Sequence, residues 1–489
     1  MPPSRSRAGT QRPLDLPGRM AATDALFWYA EAALPEFRPI IAGLYQLDRA
    51  PDPGGLEAAT DSALALVPRL RQRVVEAPFE LALPQWAHDE HFDRAYHVRH
   101  LSLPPPGSER QLLDLVASIF ATPLDRQRPL WESYWIDGLA GGRSAYLFKL
   151  HHSVVDGVGA VALLEALTTE LPGDSPPRAG RARRRRKGPE PALAMRLASL
   201  AREQAEASLR LAWRAASAPL AAAAHPVETA QSLARTARGL RGLVADAMRP
   251  PVRDPLAVPG SGLSRRLDVA EVSLERLREL KAPLGASIND VVLAALAGAL
   301  HAYHRERRVH TDELVCMVPM NLRGEGERAA LGNRVGMFSI ALPVGEARIE
   351  RRLARIVAQT SAAKRDRRGA AAPLAVEVLT LLPGAVMRWL ARRALGRVNV
   401  ACTNVPGVES YRYLAGARIE SIHPFASVVE GTPLVMALVS YAGRMQIGID
   451  TDPEAIPDPH RIALLFEHEL AALGQLAARA AGAGAAATG

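Results

Sequence analysis

The chain has 489 residues, of which 48% are hydrophobic and 23% charged; this composition supports a large packed core and excludes a disordered protein. Its formal charge of +9 is uneven, because Arg178 to Lys187 (RAGRARRRRK) carries seven cations and no acid. Taking those seven away leaves +2, so the basic balance belongs to one segment and argues against a nucleic-acid partner.

Residues 1–17 read as a flexible N-terminal tail, with cations and prolines but no apolar stretch of the kind a signal peptide needs. From 18 to 171, helical and strand patterns alternate. TDALFWYAEA has a helical pattern with Thr23 or Asp24 as its cap. IAGLYQL reads as a strand, ERQLLDLVASIFAT as an amphipathic helix, AYLFKLHH as a strand and GVGAVALLEALTTEL as a helix. In RPLWE, Trp131 reads as a core residue before an edge strand. The alternation predicts an α/β architecture.

Residues 172–262 read as a basic linker plus crossover helices. The stretch 171–191 is rich in Pro, Gly and cations and marks a linker. Beyond it, Leu193, Leu197 and Leu200 share one helical face, as do Leu233, Ala237, Leu240 and Val244. The arginine run is a solvated linker or a contact for anionic lipid headgroups, worth about 1 kcal/mol per cation at such a surface.

The α/β text resumes over 263–475. RRLDVAEV predicts a strand, SLERLRELKAPLG a helix capped by Ser273, and SINDVVLAALAGALHAYH a buried helix. ELVCMVPMNL and VGMFSIALPV predict strands, and LVMALVSYAG with RMQIGIDTD a hairpin. The segment 379–398 mixes Leu, Val, Met and Trp with arginines, as a helix lying on a membrane face or a core helix with a cationic edge would. Asn404-Val405-Pro406-Gly407 is a turn by composition. Residues 476–489 read as a disordered Ala/Gly tail, and no short repeat occurs.

Neither Cys316 nor Cys402 sits in a CxxC pair, so no zinc ribbon or disulfide framework is indicated, which fits a reducing cytoplasm. The longest uncharged apolar runs, 291–303 and 431–443, are too short for a membrane-spanning helix, which needs about 20 residues.

The segment YLFKLHHSVVDGVGA carries the chemistry. On a strand, Tyr146, Phe148 and Leu150 share one side, and Leu147, Lys149 and His151 the other. If the strand continues, His151 and His152 diverge, so one can face a cavity while the other is structural. Asp156 then sits at a helix start, where exposed N–H groups favour a carboxylate, and Gly157 permits close backbone approach. Three readings stand: a metal site, poorly supported because no third ligand follows at helical spacing; an ordinary capped turn; or a catalytic base, whose help is typically worth about 10²–10⁴ in rate.

His151-His152-Ser153-Val154-Val155-Asp156-Gly157 matches the HHxxxDG signature of the CoA-dependent acyltransferases. HFDRAYHVRH, TPLDRQRPLWE, INDVVLAALAGAL, GNRVGMFSIALPV and TNVPGV follow in the order found in the bacterial wax ester synthase/acyl-CoA:diacylglycerol acyltransferase family, which the chain resembles from about residue 21 to 472. The family has Pro after NVPG where this chain has Val408, a departure that bears on loop stiffness.

The resemblance implies an α/β fold of two chloramphenicol-acetyltransferase-like domains with mixed sheets, joined by a helical linker, with the active-site channel between them. It implies that His152 is the general base and His151 structural. Asp156 braces the loop, usually by pairing with an arginine, and Gly157 keeps the channel clear. Asn289 and Asn404 become candidate oxyanion donors, with helix capping by Asn289 and Asp290 as the alternative. The implied reaction moves a fatty acyl group from acyl-CoA, a co-substrate, to diacylglycerol or a long-chain alcohol, with no metal or other cofactor. Peripheral contact with a membrane or lipid-body surface from the cytoplasm is expected. A condensation-domain-like enzyme using a carrier-protein thioester and a non-catalytic lipid-binding relative are the alternatives.

Overall fold

In a computed structural model of the chain, the described residues are 10–11, 18–34, 37–77, 80, 82–155, 157–179, 202, 252–258, 264–321, 335–370, 382, 384–427 and 431–488. In chain order, β1 (Thr10–Gln11) precedes α1 (Ala22–Ala33), β2 (Ile40–Leu47), α2 (Pro53–Leu66), β3 (Gln72–Val75), β4 (Gln85–His88) and α3 (Arg94–His97). Next come β5 (Val98–Ser102), α4 (Glu109–Ala121), β6 (Trp131–Asp137), β7 (Ser144–His151), α5 (Gly157–Leu167) and β8 (Arg178–Ala179). After them stand β9 (Arg266–Ser273), α6 (Leu274–Lys281), α7 (Ile288–Glu306), β10 (Leu314–Asn321), β11 (Val335–Leu342), α8 (Ile349–Ala370) and α9 (Gly384–Leu395). The last elements are β12 (Val400–Val405), β13 (Tyr413–Leu414), β14 (Ala417–Ala426), β15 (Leu434–Tyr441), β16 (Arg444–Thr451) and α10 (Pro459–Thr488).

Two six-stranded mixed sheets organise these elements. The first runs β13-β14-β2-β7-β6-β5 and the second β11-β10-β12-β15-β16-β9. In the first, β2 lies antiparallel between β14 and β7, with Ile40 opposite His151 and Gly43 opposite both Phe148 and Pro424. In the second, β12 and β15 are parallel, with Ala401 opposite Val435 and Thr403 opposite Ala437.

Local chemistry explains the main elements. Ser108 and Gln111 form a capping box at the start of α4, whose apolar stripe buries Leu112, Leu113, Val116 and Phe120. The helix α7 is capped in the same way by Ser287 and Asp290, and Val291 to Ala297 have no exposed surface. A helix apolar all round must be covered all round, and α10, α8 and α6 do so. The β15–β16 hairpin turns through Ala442 and Gly443, both at positive φ (46° and 78°), the pairing that suits the twist of a two-residue hairpin loop.

Several expectations change. Strand β14 comes from residues 417–426 yet pairs with β2 in the first sheet, so the division into 18–171 and 263–475 does not follow the sheets. Ala21 is the N-cap residue of α1, with no side-chain capping bond; Thr23 and Asp24 lie within its first turn. Ser287, not Asn289, caps α7. Asn404 and Val405 end strand β12, so the turn begins at Pro406. Strand β6, which starts at Trp131, is interior to the sheet, with β5 outside it. The Ala-rich end expected to be disordered continues α10 to Thr488, as high alanine propensity favours. Within the expected N-terminal tail, Thr10–Gln11 pair with Arg178–Ala179. Apart from Arg202, the arginine run beyond Ala179 and the expected crossover helices lie outside the described residues.

Candidate active site

A cavity of about 240 Å³ lies between the first sheet, α5 and the second sheet. A period of two accounts for much of its lining, with Ile40, Ala42 and Phe425 added from the alternate positions. From β7 it takes Phe148, Leu150 and then His152, one side of the strand continued past its end. From β2 come Ile41, Gly43 and Tyr45, and from β14 Ile422, Pro424 and Ala426, which stand in the same cross-strand rows. Helix α5 adds Ala160, Val161 and Leu164. The opposite wall is Ala401, Thr403 and Val405 of β12 with Val435, Ala437 and Val439 of β15.

The paired histidines diverge at the end of β7. The N–H of His152 donates to the carbonyl of Pro39 at 2.6 Å, which holds the chain as it leaves the strand. Its imidazole lies flat on Phe27, with ring centres 4.0 Å apart and planes 16° apart. It is half-buried and lines the cavity. Among the lining residues it is the one imidazole; burial pushes the Tyr45 phenol up.

His151 turns the other way and is 1% exposed. The Ser153 hydroxyl donates to its Nδ1 at 2.7 Å and the Ser153 N–H at 3.1 Å. A ring nitrogen that accepts from an amide carries no proton, so the proton sits on Nε2. That atom faces Glu31 Oε2 at 3.8 Å, and Glu31 in turn meets Arg126 at 3.5 Å. Burial, with the neighbouring His152 and Arg126 adding to it, pulls the His151 pKa down to about 3. His151 is therefore neutral, its basic nitrogen already occupied. Trp28 packs on it edge to face, and Arg126 stacks 3.5 Å over Trp28.

The same face of the strand buries Lys149, which donates to the carbonyls of Ile119 and Thr122 at 2.8 and 2.7 Å and meets Glu132 at 3.4 Å. Three partners satisfy a buried ammonium, and lysine here anchors the end of α4 to the sheet. Trp131 is a core residue, its Nε1 donating to the Leu70 carbonyl at 2.8 Å.

The other sequence candidates are not brought together at the cavity. Asn404 alternates out of it: Thr403 and Val405 face the cavity, while Cys402, Met436 and Leu438 on the opposite side enter the second core. The residue that faces the histidine's cavity is thus Thr403, one position before the asparagine that the motif singles out. Asn289 is half-buried in the first turn of α7 and does not line the cavity. Its neighbour Asp290 is engaged by Ser287 and by Thr360 at 2.7 Å. Asp156 lies outside the described residues, and Gly157 is the first residue of α5. Gly407 passes close to the Ser440 carbonyl, leaving no room for a Cβ, and its N–H donates to Ser440 Oγ at 2.9 Å.

Sequence reasoning missed Phe27, Glu31 and Thr403. The aromatic helix TDALFWYAEA gave no sign that its consecutive rings would separate the two histidines, Phe27 on His152 and Trp28 on His151. Both cysteines are buried in the second core. Burial raises the Cys316 thiol and pushes Cys402 up to about 12, so neither is poised as a thiolate nucleophile. Among the described residues, no group of three His, Cys, Asp or Glu is arranged to hold a metal, and no helix is long and apolar enough to cross a membrane.

Comparison with known proteins places this geometry. Residues 20–292 match the wax ester synthase/diacylglycerol acyltransferase catalytic domain, and residues 331–474 the WS/DGAT C-terminal domain. A Mycobacterium tuberculosis protein named as a diacylglycerol O-acyltransferase is 32% identical over 449 residues, which cover 90% of this chain and 88% of that one. A second from the same species, also so named, is 28% identical over 435 residues, covering 87% and 88%. Among solved structures, the wax ester synthase/diacylglycerol acyltransferase from Marinobacter aquaeolei VT8 aligns with TM-score 0.59 at 24% identity, over 94% of this chain and all of that one. The first condensation domain of the calcium-dependent antibiotic synthetase aligns with TM-score 0.60 at 18% identity, over 95% and 97%. At these identities the structural likenesses speak for the fold, a pair of chloramphenicol-acetyltransferase-like units.

Proposed function

The chain belongs to the wax ester synthase/diacylglycerol acyltransferase family, and from that premise we propose how its cavity works and what it takes. The enzyme is an acyl-CoA-dependent acyltransferase. The acceptor is a lipid hydroxyl, that of a diacylglycerol or a long-chain alcohol, and the products are triacylglycerol or wax ester plus CoA.

His152 takes the proton from the acceptor hydroxyl as the oxygen attacks the thioester carbonyl carbon. The tetrahedral intermediate then collapses, the C–S bond breaks, and the imidazolium returns its proton to the departing CoA thiolate. The observation that carries this assignment is the divergence of the two imidazoles: His152 lines an apolar cavity, whereas His151 is sealed and committed to Ser153. Phe27 fixes the plane of the working ring. His151 with Ser153 holds the turn that presents it. Thr403, facing the cavity from the opposite wall, is placed to donate to the developing oxyanion. Holding thioester and alcohol together in one apolar site supplies part of the rate, up to about 7–11 kcal/mol for well-oriented reactants.

Substrates this apolar are met at an interface. Helix α9 buries Met387, Ala391 and Leu395 toward the protein and exposes Trp389 (52%) and Val386 (38%), with Arg392 and Arg393 beside them. We assign it the peripheral contact with a lipid surface.

The deciding experiment gives purified protein one labelled acyl-CoA and a mixture of dioleoylglycerol and hexadecanol, and separates the products. Labelled ester that disappears with His152→Ala is the expected result. Turnover only with a thioester on a carrier protein would instead place the enzyme with the condensation domains.

A further inference from the structure

Within this reading, the floor of the cavity contains a length stop. Strands β14, β2 and β7 form it in rows. Next to His152 lies the row Ala426–Ile41–Leu150, then Pro424–Gly43–Phe148, then Ile422–Tyr45–Tyr146. At about 3.3 Å per residue, the Gly43 row is about 13 Å from His152 and the Tyr45 row about 20 Å. The floor is apolar along this line, and hydrocarbon is what it can take up.

Tyr45 does not stand upright at the far end. Its hydroxyl lies 2.9 Å from where a Cβ on Gly43 would be, so the ring leans back along the strand toward His152 and covers the glycine. Gly43 is half-buried and lines the cavity, and Tyr45 is 8% exposed. Any side chain on Gly43 would meet the phenol, and the phenol closes the floor one row before the strands end. The ring packs on Tyr146, with centres 6.2 Å apart, which supports it from behind.

We infer that Tyr45 sets the length of the hydrocarbon chain this enzyme accepts, with Gly43 as the seat that lets it do so. This rests on the acyltransferase function proposed above. The acyl-CoA carries such a chain and so does either acceptor, a fatty alcohol or a diacylglycerol, and all share the chemistry the floor recognises. Removing the ring opens two residues of strand, about 6.6 Å. An extended chain advances about 1.3 Å per carbon for bonds of about 1.5 Å, so the opening is about four to five carbons.

The test measures kcat/KM for the unaltered protein, Tyr45→Ala and Gly43→Val in two series: saturated acyl-CoAs of increasing length with a fixed alcohol, and primary alcohols of increasing length with a fixed acyl-CoA. Tyr45→Ala should move the optimum about four carbons longer in one series. Gly43→Val should cost about tenfold or more for the longest chains otherwise accepted, since each methylene that no longer fits is worth about tenfold, while short chains keep their turnover. The series that moves identifies which chain lies on the floor. Thermal melting accompanies each variant. Gly43 lies in a strand with ordinary φ, so valine strains no backbone there, and the nearest atoms its Cβ meets are those at the end of the Tyr45 side chain; that variant decides the matter if Tyr45→Ala does not fold. Unchanged profiles in both series with turnover intact overturn the length stop and leave the acyltransferase standing. Absence of turnover with every acyl-CoA and alcohol in the unaltered protein overturns both.

Discussion

The two walls of the cavity are built from the same kind of element and do different things. The first sheet presents His152 from a strand end and, on the reverse face of that strand, buries His151 and Lys149 with Glu31 and Glu132 close by. The second sheet presents Ala401, Val405, Val435, Ala437 and Val439, with Thr403 and Ser440 as the hydroxyls of these two strands at the cavity, over a reverse face of Cys402, Met436 and Leu438. One wall carries ionisable groups that each need a partner. The other is smooth, small and almost wholly apolar. The contrast teaches that the ionisable groups are gathered on one side, while the facing sheet gives the space an apolar wall with few polar groups.

The sharpest way to break that contrast is His152→Ala. Esterification should fall at least about a hundredfold with the melting temperature unchanged; normal turnover would remove the reactive wall from the account. Phe27→Ala takes away the ring under the imidazole and opens a cavity among α1 and α9. Stability should drop by about 3 kcal/mol in urea unfolding, and activity with it. On the facing wall, Thr403→Val should lower kcat by about tenfold or more as a lost oxyanion donor, whereas Asn404→Ala, which changes a side chain on the far face, should change kcat by less than about threefold. The opposite ranking would mean that β12 is read in the wrong register.

The buried histidines sharpen the comparison through pH. Folding holds His151 near pKa 3 and His423 near 4, against about 6.5 in an unfolded chain. Each must be neutral in the folded protein, so the stability they require is fully present above about pH 6.5 and is lost as pH falls from there toward 4, because the unfolded chain binds the protons first. Urea midpoints measured from pH 7.5 down to 4 should show that slope, and His423→Leu should flatten it. The smallest expected effect belongs to the outer surface: Trp389→Ser should weaken sedimentation with anionic vesicles by about threefold while leaving turnover of detergent-dispersed substrate unchanged.

Much of this was legible along the chain. The strand YLFKLHH shows its alternation directly, and the split between the faces of His151 and His152 follows from a period of two. Ser273 as a cap and the β15–β16 hairpin are equally local. Other features failed for reasons that are also local. The familiar cap signal at the start of α7 is the Asn289-Asp290 pair, yet the cap is Ser287, which completes a box with Asp290. The motif directed attention to Asn404, but a motif names residues and not faces, and a shift of one position on a strand exchanges cavity for core.

By itself the sequence determined the class of fold and the family, because helix and strand periods and a contiguous seven-residue signature are short-range properties of a chain. Only the tertiary structure decided that β14, drawn from residues 417–426, completes the first sheet, that Phe27 lies against His152, and that Tyr45 folds over Gly43. Each of these joins surfaces whose pairing depends on shape and burial across the whole core, and no local pattern records which surface will meet which.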